Sequence, residues 1–131
     1  MAKVSALDRA VALLGPLEGR IMRVVWEGRV PVPFVVRDVQ ALMPQLAYTT
    51  VMTTLARLAT KGLLTSRRTA GQRAYDYAPA GTPVDYLARS SDEEVEAVVE
   101  RFGDAALAAF AAHIDSLPAA RRERLLRLAG R

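Results

Sequence analysis

The apolar positions of this chain fall into helical stripes separated by short breaks. Val4, Leu7, Val11 and Leu14 recur at threes and fours, so the spacing predicts a helix over residues 3–14, stopped by Gly15-Pro16. Pro16 then stands in the first turn of a second helix, where its missing N–H is no loss. That helix runs from about Leu17 to Trp26, with Leu17, Ile21, Val24 and Val25 inward and Met22 and Trp26 beside them. A lone Trp on an apolar stripe packs, so Trp26 is read as a core anchor. Gly28 to Pro33 breaks the pattern. Val30, Val32, Phe34 and Val35 then predict a short extended segment that the prolines confine to an edge. Arg37 to Met43 predicts a third helix, with Val36, Val39, Leu42 and Met43 inward and Pro44 at its end.

The sharpest pattern lies in Ala47 to Lys61. At about 100° per residue, Val51, Leu55, Leu58 and Ala59 share one side, with Tyr48 and Met52 at its edges. Thr49, Thr50, Thr53, Thr54, Arg57, Thr60 and Lys61 fall on the other. Threonine is a mediocre helix former because its χ1 is restricted. A plainly solvated helix would carry Glu, Lys, Ala or Gln there. A face of threonines and two cations with no acid suits a close, hydrogen-bonding, negatively charged partner, and a DNA major groove fits best. Gly62 is expected to cap this helix.

Leu64 to Arg68 and Arg73 to Ala78 then predict a hairpin around Ala70-Gly71, with Tyr75 and Tyr77 on one face and Arg67, Arg68 and Arg73 near the tip. Pro79 to Pro83 is the one good linker. Beyond it the pattern is helical. Ser91-Asp-Glu-Glu94 matches a capping box. Val95, Val98, Val99, Phe102, Ala106, Phe110 and Ile114 recur at threes and fours, and a last helix is expected over about Pro118 to Ala129. Helix, extended segment, helix, helix, hairpin is the order of a winged helix-turn-helix. The predicted fold is therefore mainly α with a small β-wing. A winged helix-turn-helix DNA-binding domain over residues 1–81, with an N-terminal extension over 1–15, precedes helical dimerisation elements over 82–131.

Composition narrows the function. The chain has 131 residues, 51% of them hydrophobic, which supports a folded core. There is no cysteine, which excludes disulfides, thiolate metal sites and cysteine nucleophiles. No apolar run approaches the roughly 18 residues of a membrane span, and the first residues lack a signal-peptide pattern, so a cytoplasmic location is expected. Residues 1–81 carry 11 Lys and Arg against 5 Asp and Glu, a net +6; residues 82–131 carry 7 against 9, a net −2. The basic half holds the threonine helix and implies a polyanionic partner. The acidic, amphipathic half has more apolar side chains than a thin helical tail hides, which points to a second copy. Gly-x-Ser-x-Gly, a phosphate-binding Gly loop and His-Glu-x-x-His are all absent. No enzyme and no cofactor are expected. His113 is the only histidine, and Asp115 is a poor co-ligand by helical spacing, so no metal site is expected.

Four blocks resemble a known family: Leu17-Glu-Gly-Arg-Ile-Met-Arg-Val-Val-Trp26, Val36-Arg-Asp-Val39, Ala47 to Leu58 followed by Lys61-Gly-Leu63, and Arg73-Ala-Tyr-Asp-Tyr-Ala-Pro79. Along about residues 14–115 they look like the penicillinase-repressor family, the BlaI/MecI/CopY group of bacterial transcriptional repressors. The resemblance implies a homodimer that binds an inverted-repeat operator and is released by an inducing signal. On this pattern Thr49, Thr50, Thr53 and Arg57 reach bases or phosphates, Lys61 contacts the backbone, and Arg67, Arg68 and Arg73 meet phosphates from the wing. Val95, Val98, Val99, Phe102, Ala106, Phe110 and Ile114 would form the dimer interface. The chain lacks the paired cysteines of the copper-responsive branch. In the β-lactam branch a membrane-bound antirepressor triggers cleavage beside a phenylalanine, and Phe110, preceded by Ala109, lies in roughly that place. Val35 replaces the Thr or Ser helix cap of many relatives. The rival reading is a winged-helix protein-interaction module without DNA binding. It would need an apolar patch where the threonines lie.

Overall fold

The computed structural model describes residues 4–68, 70–71 and 73–130. Residue 3 of the first predicted helix and residues 69 and 72 of the predicted hairpin lie outside them. The elements run α1 (Ala6–Ala12), α2 (Pro16–Trp26), α3 (Val36–Leu42), α4 (Tyr48–Thr60), β1 (Leu64–Arg67), β2 (Asp76–Pro79), α5 (Pro83–Phe102), α6 (Asp104–Asp115) and α7 (Ala119–Ala129). This is a mainly α winged helix. The chain divides into two compact units, one extending to Arg89 and the other beginning at Ser90.

In the first unit, α4 packs on α2, α3 and β1 around one core. Phe34, Ile21, Met22, Leu55, Leu58, Val39 and Val51 are its largest fully buried side chains. Burying each is worth about 1.5–3 kcal/mol. The segment predicted as extended pairs with the wing through one residue. Phe34 exchanges backbone hydrogen bonds of 2.8 and 2.7 Å with Tyr77 and stacks on its ring at 5.9 Å. The wing is thereby fastened to the core at its base. Its strands are antiparallel in the register Leu64–Pro79, Thr65–Ala78, Ser66–Tyr77 and Arg67–Asp76. Burial holds the Tyr77 phenol above its ordinary pKa.

The N-terminal stretch is integral to this unit. Ser5 accepts from the Asp8 N–H at 3.0 Å as the cap of α1, and Asp8 pairs with Arg23 of α2 at 3.0 Å. α1 approaches α2 at Gly19, where a Cβ would lie 3.0 Å from Val11 Cγ1. At the α3 N-terminus Val35 offers no side-chain acceptor, but the Asp38 carboxylate accepts from the Val35 N–H at 2.8 Å. That is half of a capping box.

The tail departs from expectation at two points. Ser91-Asp-Glu-Glu94 is not a helix start but the interior of α5. The working box lies at Thr82-Pro-Val-Asp85. Thr82 N–H donates to Asp85 Oδ2 at 2.9 Å, and Asp85 N–H donates to Thr82 Oγ1 at 3.1 Å. The bond from the Thr82 backbone N–H foremost, and then the Thr82 side chain, hold the Asp85 carboxyl below the usual carboxylate range. The second departure is Gly103, whose φ of +63° breaks the expected continuous stripe between α5 and α6. Within the second unit only Ala106 is buried among the described residues. Val95, Phe102 and Phe110 are exposed, and Val98, Val99 and Ile114 are half-buried. No helix among the described residues is long and apolar enough to cross a membrane.

Candidate nucleic-acid interface

Helix α4 builds the site because its packing stripe is narrow. Val51, Thr54, Leu55 and Leu58 are buried, the spacing i, i+3, i+4 and i+7 of a core-facing helix. This corrects one expectation: Thr54 belongs to the packing face. It is only 4% exposed, and its hydroxyl donates to the Thr50 carbonyl at 2.8 Å. A threonine can enter an apolar stripe when its hydroxyl is satisfied by the preceding turn. Thr60 bonds likewise to the Ala56 carbonyl at 3.1 Å, though it is exposed.

Thr49, Thr50, Thr53 and Arg57 remain. All four are exposed, and among the described residues none of their side chains has a hydrogen-bond partner within the protein. They share one side of about two turns. The turn before α4 is held by Gln40, whose Nε2 donates to the Leu46 carbonyl at 3.2 Å. The C-terminal end is closed by Gly62 at φ +81°, as expected of a left-handed cap.

Lys61 is placed differently. Its Nζ donates to both oxygens of Glu18, at 2.8 and 3.0 Å. Glu18 lies in the first turn of α2 with its side chain only 11% exposed, against 53% for Lys61. The ammonium is thus a tie between α4 and α2. The sequence carried half of the signal: Glu18 shares the inward side of α2 and needs a cation, but nothing near it names Lys61, 43 positions on.

The wing brings Arg73 to the start of α4. Arg73, Tyr75, Tyr48 and Met52 line one recess between hairpin and helix, floored by Val36 and Tyr77. Tyr48 and Tyr75 were expected to pack, and each does so while keeping an exposed edge, at 36% and 44%. Arg68 stacks over the Tyr75 ring at 6.0 Å. Arg67 faces away from this recess, beside Val32, Pro33 and Asp76. All three wing arginines are exposed.

Sequence reasoning missed Arg37. It lies in the first turn of α3, exposed, with its guanidinium 5.6 Å from the Tyr48 ring centroid. A cation in a first helical turn opposes the helix dipole. That cost was the available sign of another use for Arg37. Arg37, Arg68 and Arg73 gather around Tyr48 and Tyr75 at the start of α4, and with Thr49, Thr50, Thr53 and Arg57 they offer exposed hydrogen-bond donors and positive charge, suited to phosphates and base edges.

The penicillinase repressor family matches residues 14–129. The chain is 41% identical over 90 residues to the protein named transcriptional regulator BlaI in two strains of Mycobacterium tuberculosis. That alignment takes in 60% of this chain and 62% of the relative's length. Both names describe regulation and neither an enzyme, in keeping with a sequence that carries no catalytic motif. With the family's match running from the turn after α1 to the end of α7, the chain belongs to the penicillinase repressor family.

Proposed function

We propose that this chain is a transcriptional repressor that binds an inverted-repeat operator as a homodimer and leaves it on an inducing signal. One observation carries the reading: the exposed face of α4, where the side chains of Thr49, Thr50, Thr53 and Arg57 make no hydrogen bond inside the protein among the described residues. In this reading α4 enters the major groove. Arg57 pairs with a guanine edge or a phosphate, and the threonines supply short hydrogen bonds or a methyl contact to thymine. Arg67, Arg68 and Arg73 hold the neighbouring backbone, and Arg37 joins them. Lys61 contributes charge near the backbone while remaining tied to Glu18.

Val95, Val98, Val99, Phe102, Ala106, Phe110 and Ile114 are assigned to the contact between protomers. The exposure of Val95, Phe102 and Phe110 supports this, since a second unit this poor in buried residues gains a core by pairing. A membrane-bound antirepressor is the partner that the family resemblance offers for release. Ala109 and Phe110 lie within α6, so any cleavage there would require that helix to open locally.

A band-shift against promoter DNA at graded salt tests the core of the reading. Each neutralised phosphate contributes about −0.9 to the slope of log affinity on log salt. Two heads engaging even half of their wing and α4 arginines give a slope steeper than about −3. Binding insensitive to salt would overturn the phosphate contacts.

A further inference from the structure

The opening turns of α5 are tied to the end of α4 by one side chain. Arg89 donates from Nη1 to the Gly62 carbonyl at 3.2 Å and from Nη2 to the Lys61 carbonyl at 3.4 Å. These carbonyls stand just past the last turn of the reading helix, where unpaired C=O groups and the helix dipole leave partial negative charge. A guanidinium fork suits two adjacent carbonyls better than an ammonium would. The fork is itself braced. Its guanidinium lies 5.6 Å from the Tyr86 ring, Tyr86 packs on Trp26 at 6.2 Å, and Trp26 Nε1–H donates to the Gly81 carbonyl at 2.9 Å. Gly62 is needed here for its φ of +81°, and a Cβ, 3.1 Å from Arg89 Nη1, would also press on the fork.

Arg89 belongs to no part of the reading face. It meets α4 at the end opposite Thr49 and Thr50. What it joins is the reading helix and a helix that continues unbroken from Pro83 to Phe102. We infer that Arg89 is a positioning residue that couples α4 to α5 and so sets the half-site spacing the protein accepts. The inference rests on the homodimeric operator reading above. A linker of flexible residues would let two heads find half-sites over a range of separations. A helix pinned to the reading helix at its start permits a narrow range, because inverted repeats are read at fixed helical phase.

The test uses full-length protein, Arg89→Ala against the parent. Three DNA probes are needed: an operator with its natural spacer, the same operator with the spacer lengthened by about two base pairs, and a single half-site. The parent should prefer the natural spacer strongly. In the variant this preference should fall about tenfold, the scale of a charge-assisted hydrogen bond, with half-site affinity unchanged. An unaltered spacer preference would overturn the inference. So would a loss of half-site affinity equal to the loss on the full operator, which would show Arg89 merely holding the head together. A parent without any spacer preference would instead sink the inverted-repeat reading itself.

Discussion

Replacing Lys61 with Met should weaken the fold more than it weakens DNA binding. The Glu18 carboxylate is only 11% exposed, and Lys61 Nζ, at 2.8 and 3.0 Å, is its hydrogen-bonding partner. Removing one member of a fully buried ion pair costs about 3–5 kcal/mol, because the other charge is stranded. A fully exposed pair is worth about 0.2–1 kcal/mol. This pair lies between the two, since half of the lysine is in water. Solvent screening therefore lowers the expected loss to about 1–2 kcal/mol. For a head of this size each kcal/mol moves the midpoint by about 4–8 °C, so Lys61→Met should melt about 4–16 °C below the parent. Circular dichroism melts at one protein concentration measure this, the fixed concentration being needed if subunits associate. Lys61→Met combined with Glu18→Gln should regain part of the loss, since no carboxylate is then stranded. A single variant melting within about 1 °C of the parent, far inside the shift expected for a stranded charge, would refute the assignment of Lys61 as Glu18's support.

Three other outcomes are expected. Arg57→Ala should weaken operator binding by about 1–3 kcal/mol with an unchanged melting curve; equal affinity in a titration would remove Arg57 from the interface. Thr53→Val should lower operator affinity by about 0.5–1.5 kcal/mol, whereas Thr54→Val should leave affinity unchanged because its hydroxyl already bonds to Thr50; the reverse order would refute the division of α4's faces. Asp85→Asn should lower the melting temperature at neutral pH. The Asp85 carboxyl is held below its ordinary pKa, so its stabilisation is full above about pH 3.9 and is lost as pH falls through the depressed folded value. The gap between parent and variant should therefore close in acid, and a gap constant down to pH 2 would refute the cap.

The order of elements was legible because each depends on local spacing. The stripe of Ile21, Val24 and Val25 and the Gly62 cap need only near neighbours to be read. What spacing hid was decided by contacts across the chain. Thr54 looks polar by residue type, and only its position between Val51, Leu55 and Leu58 makes it core. Ser91-Asp-Glu-Glu94 has the residues of a capping box, yet the chain before it was already helical from Pro83, so no free N–H groups remained there to cap. The tie between Glu18 and Lys61 spans 43 positions and has no local signature. Arg37 comes beside Tyr48 only because α3 and α4 pack together. The exposed set Thr49, Thr50, Thr53 and Arg57 was visible in the sequence because no hydrogen bond among the described residues claims their side chains.

That last property has a consequence for how such proteins diverge. Thr49, Thr50, Thr53 and Arg57 are exposed while Val51, Thr54, Leu55 and Leu58 are buried, so on the proposed reading address and chassis can mutate largely independently. Substitutions at exposed positions typically move stability by no more than about 0.5 kcal/mol, which leaves a duplicated gene free to try new targets without risking its fold. The constraint falls elsewhere. If the chain pairs on its operator as proposed, every change alters both half-sites at once, and two recently duplicated copies still pair with each other. Mixed pairs then hold two different addresses and match neither parent's operator. Separation of two such regulators is complete only after the pairing surface has diverged as well.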